Sequence, residues 1–394
     1  MICRYYSLCG QYSRALKLFM QCGDREIDAA IDVVGKSQNE SLTNQLIDFL
    51  LGEKDGIEKD ANYLYRLNMS LKKYEQAAQT ALILARQEQD MGQYPKAHSV
   101  LYDTIRQLEE ANTKVPLQLR QQFVLLHSYI RIKSLVKVGD HMGAARLLLR
   151  VVQNLTKFPV HSVPILTSTV IECQRAGLKT TAHEYAVMLM RPEYREHIDV
   201  NLKRKIEAIV RRRLEAGAEP TEDLSPCPIT NEMVPVTQLE STSRDQIPMC
   251  VITGRHMVLN DWCFCPISKM PALHSAYIAY IESETNLVKL ERESSGLGSG
   301  APIIVLDPVL GKPITASELR LASPEEATKY IQKYNNVIEE KKKEEVEGEE
   351  EEKIKEKKVR SNKARARRGS KKNSSLGLSE EKSNKNTERS KKHK

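Results

Sequence analysis

From its first residues to about Arg213 the chain reads as one amphipathic helix after another, with apolar positions recurring three and four apart and short polar breaks between them. One turn recurs through this stretch. Its sharpest copy is Gly10-x-Tyr12-x-x-Ala15 followed by Phe19. It returns at Tyr74-x-x-Ala77 with Ala81, at Gly92-x-Tyr94-x-x-Ala97 with Leu101, and at Gly139-x-His141-x-x-Ala144 with Leu148. In such a turn glycine ends one helix in the left-handed region, the aromatic packs back across the break, and the alanine lets paired helices approach closely. The copies do not keep the tetratricopeptide period of about 34 residues. Residues 1–213 are therefore predicted to form a divergent, tetratricopeptide-like alpha-solenoid of antiparallel pairs.

Individual stripes place the helices. Leu117, Phe123 to Leu126, Ile130 and Leu135-Val136 predict a long helix between Pro116 and Gly139, with Ala144–Leu155 as its antiparallel partner. Pro159 and Pro164 are read as bracketing a break. Ile165–Arg175 and Ala182–Met190 then form a hairpin capped by Gly177, with the methionine-rich end as core. Pro192 stops that helix, and Asn201–Arg213 makes a last basic one. Met1–Cys9 presents apolar residues on the face a preceding helix would cover, so the array is expected to continue a longer one. Residues 214–224 read as a linker.

The pattern changes after the linker, where short apolar runs flank Cys-Pro turns. Cys227-Pro-Ile-Thr230 and Cys265-Pro-Ile-Ser268 look like zinc knuckles whose second cysteine has become a hydroxyl, a poor ligand for a borderline-soft ion. Hydrogen bonds from Thr230, Ser268 and Asp307 are expected to stand in for the metal. Residues 225–338 are thus read as a small α+β, degenerate zinc-ribbon-like module. Its expected elements are strands near Val251–Thr253 and Ile303–Leu306, a helix over Leu273–Glu284, and a closing helix from Ser323-Pro324 toward Glu340. Cys250, His256, Cys263 and Cys265 form a Cys-x5-His-x6-Cys-x-Cys set, with Cys-x-Cys an uncommon spacing for a structural pair. Zinc stays open there on an incomplete ligand set, and no catalytic, cofactor-binding or metal residue is assigned.

Charge narrows the range of partners. Of the net +8, residues 339–394 carry 20 Lys and Arg against 13 Asp and Glu, which leaves 40 against 39 in the rest. A body so balanced has no electrostatic footprint for nucleic acid. The tail, almost free of apolar residues, is expected to be disordered, with a polyanion-binding element or a coiled coil as alternatives. Eight cysteines and no paired spacing among Cys3, Cys9, Cys22 and Cys173 suggest a reducing compartment. Apolar runs such as Ile303–Leu306 fall far short of the roughly 20 residues a membrane span needs, so a soluble protein is expected. His98, His127, His161, His183 and His197 have no carboxylate or cysteine at ligand or triad spacing. They are read as partly exposed helix residues without a role. The Gly296-x-Gly298-x-Gly300 run reads as a flexible insert rather than a phosphate loop.

Several motifs in order resemble one family. Pro164–Cys173, Arg175–Lys179, Met188–Arg195 and Lys205–Arg212 lie before the linker. Cys227-Pro, Cys250-x-x-Thr-Gly-Arg-His-Met257, Asp261-Trp262, Cys265-Pro and Pro271-Ala-Leu273 follow it. Over roughly 1–320 these resemble the C-terminal region of the WD-repeat protein nineteen family, the large propeller-plus-solenoid subunit of the intraflagellar transport A complex. The resemblance implies a non-catalytic scaffold, in cilium and cytoplasm at the cytoskeleton and basal body. Its solenoid docks on other intraflagellar transport A subunits and ciliary cargo adaptors, for retrograde transport and ciliary entry of membrane proteins. No small-molecule substrate is implied. It also implies several Cys-Pro-x-Cys pairs that bind zinc. Here the first and third end in Thr230 and Ser268, Glu240–Gln246 replaces the second, and the last reads Asp307-Pro-Val-Leu310. An alternative reading is a U-box-like ubiquitin ligase with a helical-repeat arm, since a U-box is a metal-free relative of a zinc cross-brace and Cys227–Met233 with Asp307–Gly311 resembles its phrasing.

Overall fold

The computed structural model describes residues 2–53, 56–212, 219–294 and 303–335. Its first part is a succession of helices: α1 (Ile2–Leu8), α2 (Tyr12–Gln21), α3 (Ile27–Ser37), α4 (Glu40–Leu50), α5 (Ala61–Ser70), α6 (Tyr74–Asp90), α7 (Tyr94–Glu110), α8 (Leu117–Val138), α9 (His141–Val152), α10 (Ser162–Arg175), α11 (Lys179–Leu189), α12 (Pro192–Arg195) and α13 (Val200–Arg211). From α5 to α11 each helix packs on the next in sequence, and α13 packs on α11. This neighbour-on-neighbour packing is that of an alpha-solenoid.

The recurring turn explains the stack. Gly10, Gly92, Gly139 and Gly177 all have positive φ, from 72° to 89°. At each, two backbone bonds close the helix end in a Schellman motif, such as Asp140 N–H to Leu135 O at 3.0 Å with Gly139 N–H to Val136 O at 3.1 Å. The alanines that follow, Ala15, Ala97 and Ala144, are fully buried, as is Ala77. In the copy before Tyr74 the glycine position is held by Lys72, at φ 57°. A fifth copy, Gly177-x-Lys179-x-x-Ala182, escaped the sequence pattern because a lysine replaces the aromatic, yet its alanine is equally buried. Side-chain caps open other helices: Asn39 for α4, Asp60 for α5, Asp140 for α9 and Asp199 for α13.

Among the described residues the solenoid holds two large cores and a small third cluster of Ala145, Cys173, Leu178 and Ala182. One joins α2–α5 around Leu16, Phe19, Val34 and Leu46; the larger runs from Ala78 to Ile206 around Leu101, Phe123, Leu126 and Leu148. Helix α8 lies deep in the second core. Leu119, Phe123 and Leu126 fill one side, while Arg120, His127, Ser128 and Arg131 are buried on another.

Among the described residues the second part is three antiparallel hairpins and two α-helices. Strand β1 (Leu224–Pro226) pairs with β2 (Met233–Pro235), β3 (Trp262–Phe264) with β4 (Pro271–Leu273), and β5 (Val305–Leu306) with β6 (Pro313–Ile314). Helix α14 (His274–Ser294) follows β4, and α15 occupies 324–335. The core gathers Trp262, Cys263, Ala272, Tyr277, Ile281, Val305, Ile314, Ala327 and Ile331.

Several expectations need correction. Val251–Thr253 is a turn, because Cys250 closes a backbone ring there. Helix α14 runs ten residues beyond the expected Glu284, to Ser294. Pro164 sits in the first turn of α10, where its missing N–H costs nothing, so only Pro159 marks the break. The closing helix does begin with Ser323, whose hydroxyl accepts from Glu326 N–H at 3.2 Å while Glu326 returns to Ser323 N–H at 3.0 Å. Its expected run to Glu340, the glycine-rich insert and the tail 339–394 lie outside the described residues. Among the described residues no helix is long and apolar enough to cross a membrane.

Candidate functional site

Each hairpin of the second part turns through the same six-residue frame, and a fourth copy lies between them. The N–H of an anchor residue donates to the carbonyl five residues on: Cys227 to Glu232 at 2.8 Å, Cys250 to Arg255 at 2.8 Å, Cys265 to Met270 at 3.0 Å, Asp307 to Lys312 at 2.8 Å. The anchor's carbonyl accepts from the residue four on, which has positive φ in every case: Asn231, Gly254, Lys269 and Gly311. Glu240–Gln246, expected in the second position, is a separate tight turn closed by Ser241 and Asp245; Cys250 is the second anchor.

The third and fourth anchors meet in the core. Cys265 Sγ donates to Asp307 Oδ1 at 3.1 Å, and the Tyr277 hydroxyl donates to the same oxygen at 2.8 Å while lying 3.4 Å from Cys265 Sγ. The other carboxylate oxygen accepts from Val309 N–H at 3.1 Å and Leu310 N–H at 2.8 Å. Asp307 is 1% exposed, so these donors replace the water it gives up. Burial pushes the Cys265 thiol up, and burial followed by the nearby Asp307 charge pushes the Tyr277 hydroxyl up strongly. The hydroxyls expected to bridge these turns do otherwise: Thr230 turns to the Glu232 carboxylate at 3.4 Å, and the buried Ser268 hydroxyl has no hydrogen-bond partner.

The turns sit against α7, α8 and α9, whose side chains donate to main-chain carbonyls. Tyr102 reaches Ser268 O at 3.0 Å, His127 Nε2 reaches Val251 O at 2.7 Å, and Arg131 Nε reaches Ile252 O at 3.2 Å. Arg150 reaches Thr237 O at 2.8 Å, and Arg120 reaches Tyr334 O at 2.8 Å while stacking on the Tyr334 ring at 3.9 Å. Met270, Val309 and Leu310 pack into the solenoid core. Gly254 faces Leu147, where a Cβ would collide with the leucine side chain. The end of the expected linker is docked too: Glu219 accepts from Thr181 N–H at 2.9 Å, and Glu222 from Thr237 N–H at 2.8 Å.

Two histidines expected to be partly exposed are buried here instead, His98 at 4% and His127 at 0%. A carbonyl only accepts, so His127 Nε2 carries its proton toward Val251 O, and His98 Nε2–H donates to His127 Nδ1 at 3.0 Å. Both rings are neutral. Burial pushes His98 down to about 4, and burial, then the adjoining His98, pushes His127 well below its usual value. Arg150, brought down to about 10 by burial, keeps its charge at neutral pH. Of the other histidines, His161 meets the Tyr129 hydroxyl at 2.6 Å and His183 the Val210 carbonyl at 3.2 Å.

No family model matches the chain. Comparison with curated proteins aligns 287 residues, 72% of the chain, with WD repeat-containing protein 19 of Mus musculus at 50% identity, and equally with that of Homo sapiens. The chain belongs to the WD repeat-containing protein 19 family. WD repeat-containing protein dyf-2 of Caenorhabditis elegans is 39% identical over 279 residues, 70% of the chain. The chain covers about a fifth of these relatives, 21% of the mouse and human proteins and 20% of the nematode one. None of the three names of these WD repeat-containing proteins is that of an enzyme.

The zinc implied by resemblance to the WD repeat-containing protein 19 family does not fit these residues. Among the described residues no group of three or more His, Cys, Asp or Glu is placed to hold a metal. Cys250, His256, Cys263 and Cys265 are not placed as one ligand set. Cys250 Sγ accepts from Leu273 N–H at 3.3 Å, His256 meets the Ser225 hydroxyl at 2.6 Å, Cys263 is buried in β3, and Cys265 is bonded to Asp307. Cys227 is surrounded by Val234 and Ile247.

The sequence did hold one signal for the docking face. Arg120, His127 and Arg131 are spaced seven and four apart on a helix otherwise rich in Leu and Ile, which puts them on one face.

Proposed function

We propose that the chain supplies the solenoid and terminal module of a non-catalytic scaffold subunit of the intraflagellar transport A complex. On this reading it acts in retrograde ciliary transport and ciliary entry of membrane proteins, at the cilium and basal body, by docking on sister subunits and cargo adaptors. The observation that carries it is the 50% identity to WD repeat-containing protein 19 across both solenoid and module. The use of the polar groups supports it: the buried Arg, His and Tyr side chains of α7–α9 are spent on the module's own backbone, and no nucleophile, base and oxyanion donor converge among the described residues. We divide the chain into a solenoid (1–213), a connector (214–224), a degenerate zinc-ribbon-like module (225–338) and a charged tail (339–394).

The U-box alternative requires the turn at Asp307 to be free for a conjugating enzyme. Val309 and Leu310 of that turn instead pack into the solenoid core, and this weighs against ligase activity.

The test is a chimera. The matching segment of full-length WD repeat-containing protein 19 is replaced by this chain in ciliated cells lacking that protein. Restored ciliary localisation and normal clearance of cargo from the ciliary tip are expected. A chimera that is stable yet leaves cargo accumulating at the tip would overturn the scaffold reading.

A further inference from the structure

We infer that the third and fourth turns are joined by a hydrogen-bonded stand-in for a metal ion, built from Tyr277, Asp307 and Cys265, so that the module holds its fold without zinc. A tetrahedral zinc with one sulfur and one oxygen ligand keeps those two atoms about 3.6 Å apart, given bond lengths near 2.3 and 2.1 Å. Here Cys265 Sγ and Asp307 Oδ1 are 3.1 Å apart with a thiol proton between them. The Tyr277 hydroxyl closes the triangle at 2.8 and 3.4 Å. Both carboxylate oxygens already accept hydrogen bonds, one of them from two backbone amides. The thiol and tyrosine protons occupy the positions an ion would take between these atoms.

The outline of a four-ligand site nonetheless persists. Two ligand positions three residues apart on each turn would be 265 with 268 and 307 with 310. They hold Cys265, Ser268, Asp307 and Leu310. Ser268 Oγ is buried without a partner, as a hydroxyl would be in a space shaped for a ligand. Leu310, by contrast, supplies no donor atom and packs into the solenoid core. The thiol, the carboxylate and the tyrosine reproduce the cross-link between the two turns that an ion would make, and α14 delivers the tyrosine from its first turn.

The claim is tested on the full 394-residue chain, produced in zinc-supplemented medium. Less than a tenth of a zinc per chain, and a melting midpoint unchanged by a strong chelator, are expected of the unaltered protein. About one zinc per chain, with a lowered midpoint once it is stripped, would overturn the inference. Tyr277→Phe, which removes only the bridging hydroxyl, is expected to lower the midpoint by several degrees, and no change would show that the tyrosine is not the brace. The combination Ser268→Cys, Asp307→Cys, Leu310→Cys with Tyr277→Phe is expected to take up one zinc and to lose its fold on chelation. If that variant folds and binds none, the assignment of the metal's place is wrong; if it does not fold, the unaltered chain and Tyr277→Phe still decide.

Discussion

Lys72 adopts a φ of 57° in a turn that four other copies give to glycine. A side chain in the left-handed region costs about 1–2 kcal/mol, partly offset by the greater freedom glycine has when unfolded. Lys72→Gly is therefore expected to raise stability by up to about 1 kcal/mol. Gly139→Ala, where nothing lies within reach of the new Cβ, should lower it by about 1–2 kcal/mol for conformational reasons alone. Chemical denaturation of both variants measures the difference. The buried His98 and His127 make a second residue-scale prediction. Each binds its proton less tightly folded than unfolded, so their contribution to stability is full above about pH 6.5 and is lost as pH falls below it, through about 4 for His98. Asp307 near His98 works against the depression, whereas Arg131 beside His127 adds to it. Denaturation midpoints across that window should fall with pH, and less so in His98→Phe, provided that variant keeps the native circular dichroism.

At the scale of elements, the helices were legible because their period and their glycine stops act through local geometry. Gly177 with Lys179 shows the limit, since the backbone needed the glycine and the alanine but not the aromatic. The module was less legible. Its second anchor, Cys250, is followed by Val rather than Pro, so Val251–Thr253 reads as a strand although it folds as a turn. The docking of the module on α7–α9 left almost no trace, because the acceptors are backbone carbonyls, which every residue possesses. Only the arginines and histidine on one face of α8 hinted at it, and such a face is normally solvated. The contact between Gly254 and Leu147 gives the sharpest element-scale test. Gly254→Ala adds a clash to an unfavourable φ of 71° and should cost on the order of 2–4 kcal/mol. Limited proteolysis should then cut 225–335 faster than in the unaltered chain, while α2–α5 keep their original rate. Arg150→Met would leave Thr237 O and Ser128 without their donor, at about 1–3 kcal/mol, and should loosen the same region.

Across the whole molecule the two solenoid cores differ in support. The first, α2–α5, rests on its own helices, and Ile2, Tyr5 and Leu8 of the adjoining α1 are 66–86% exposed. The second is packed from the side by Met270, Val309 and Leu310 of the module. Hydrogen exchange should accordingly be faster in α1–α4 than in α7–α9, and amides of β3 and β4 should be protected together with α8. Equal protection from end to end would contradict this division. The carbonyl contacts carry a further consequence for descent. A seat that recognises main-chain oxygens is indifferent to which side chains hang from that main chain, provided the turns keep their shape. Mutation is then free to exchange ligand cysteines one at a time for serine, threonine or aspartate without unseating the module, so its chemistry can drift while its place against the helices is inherited.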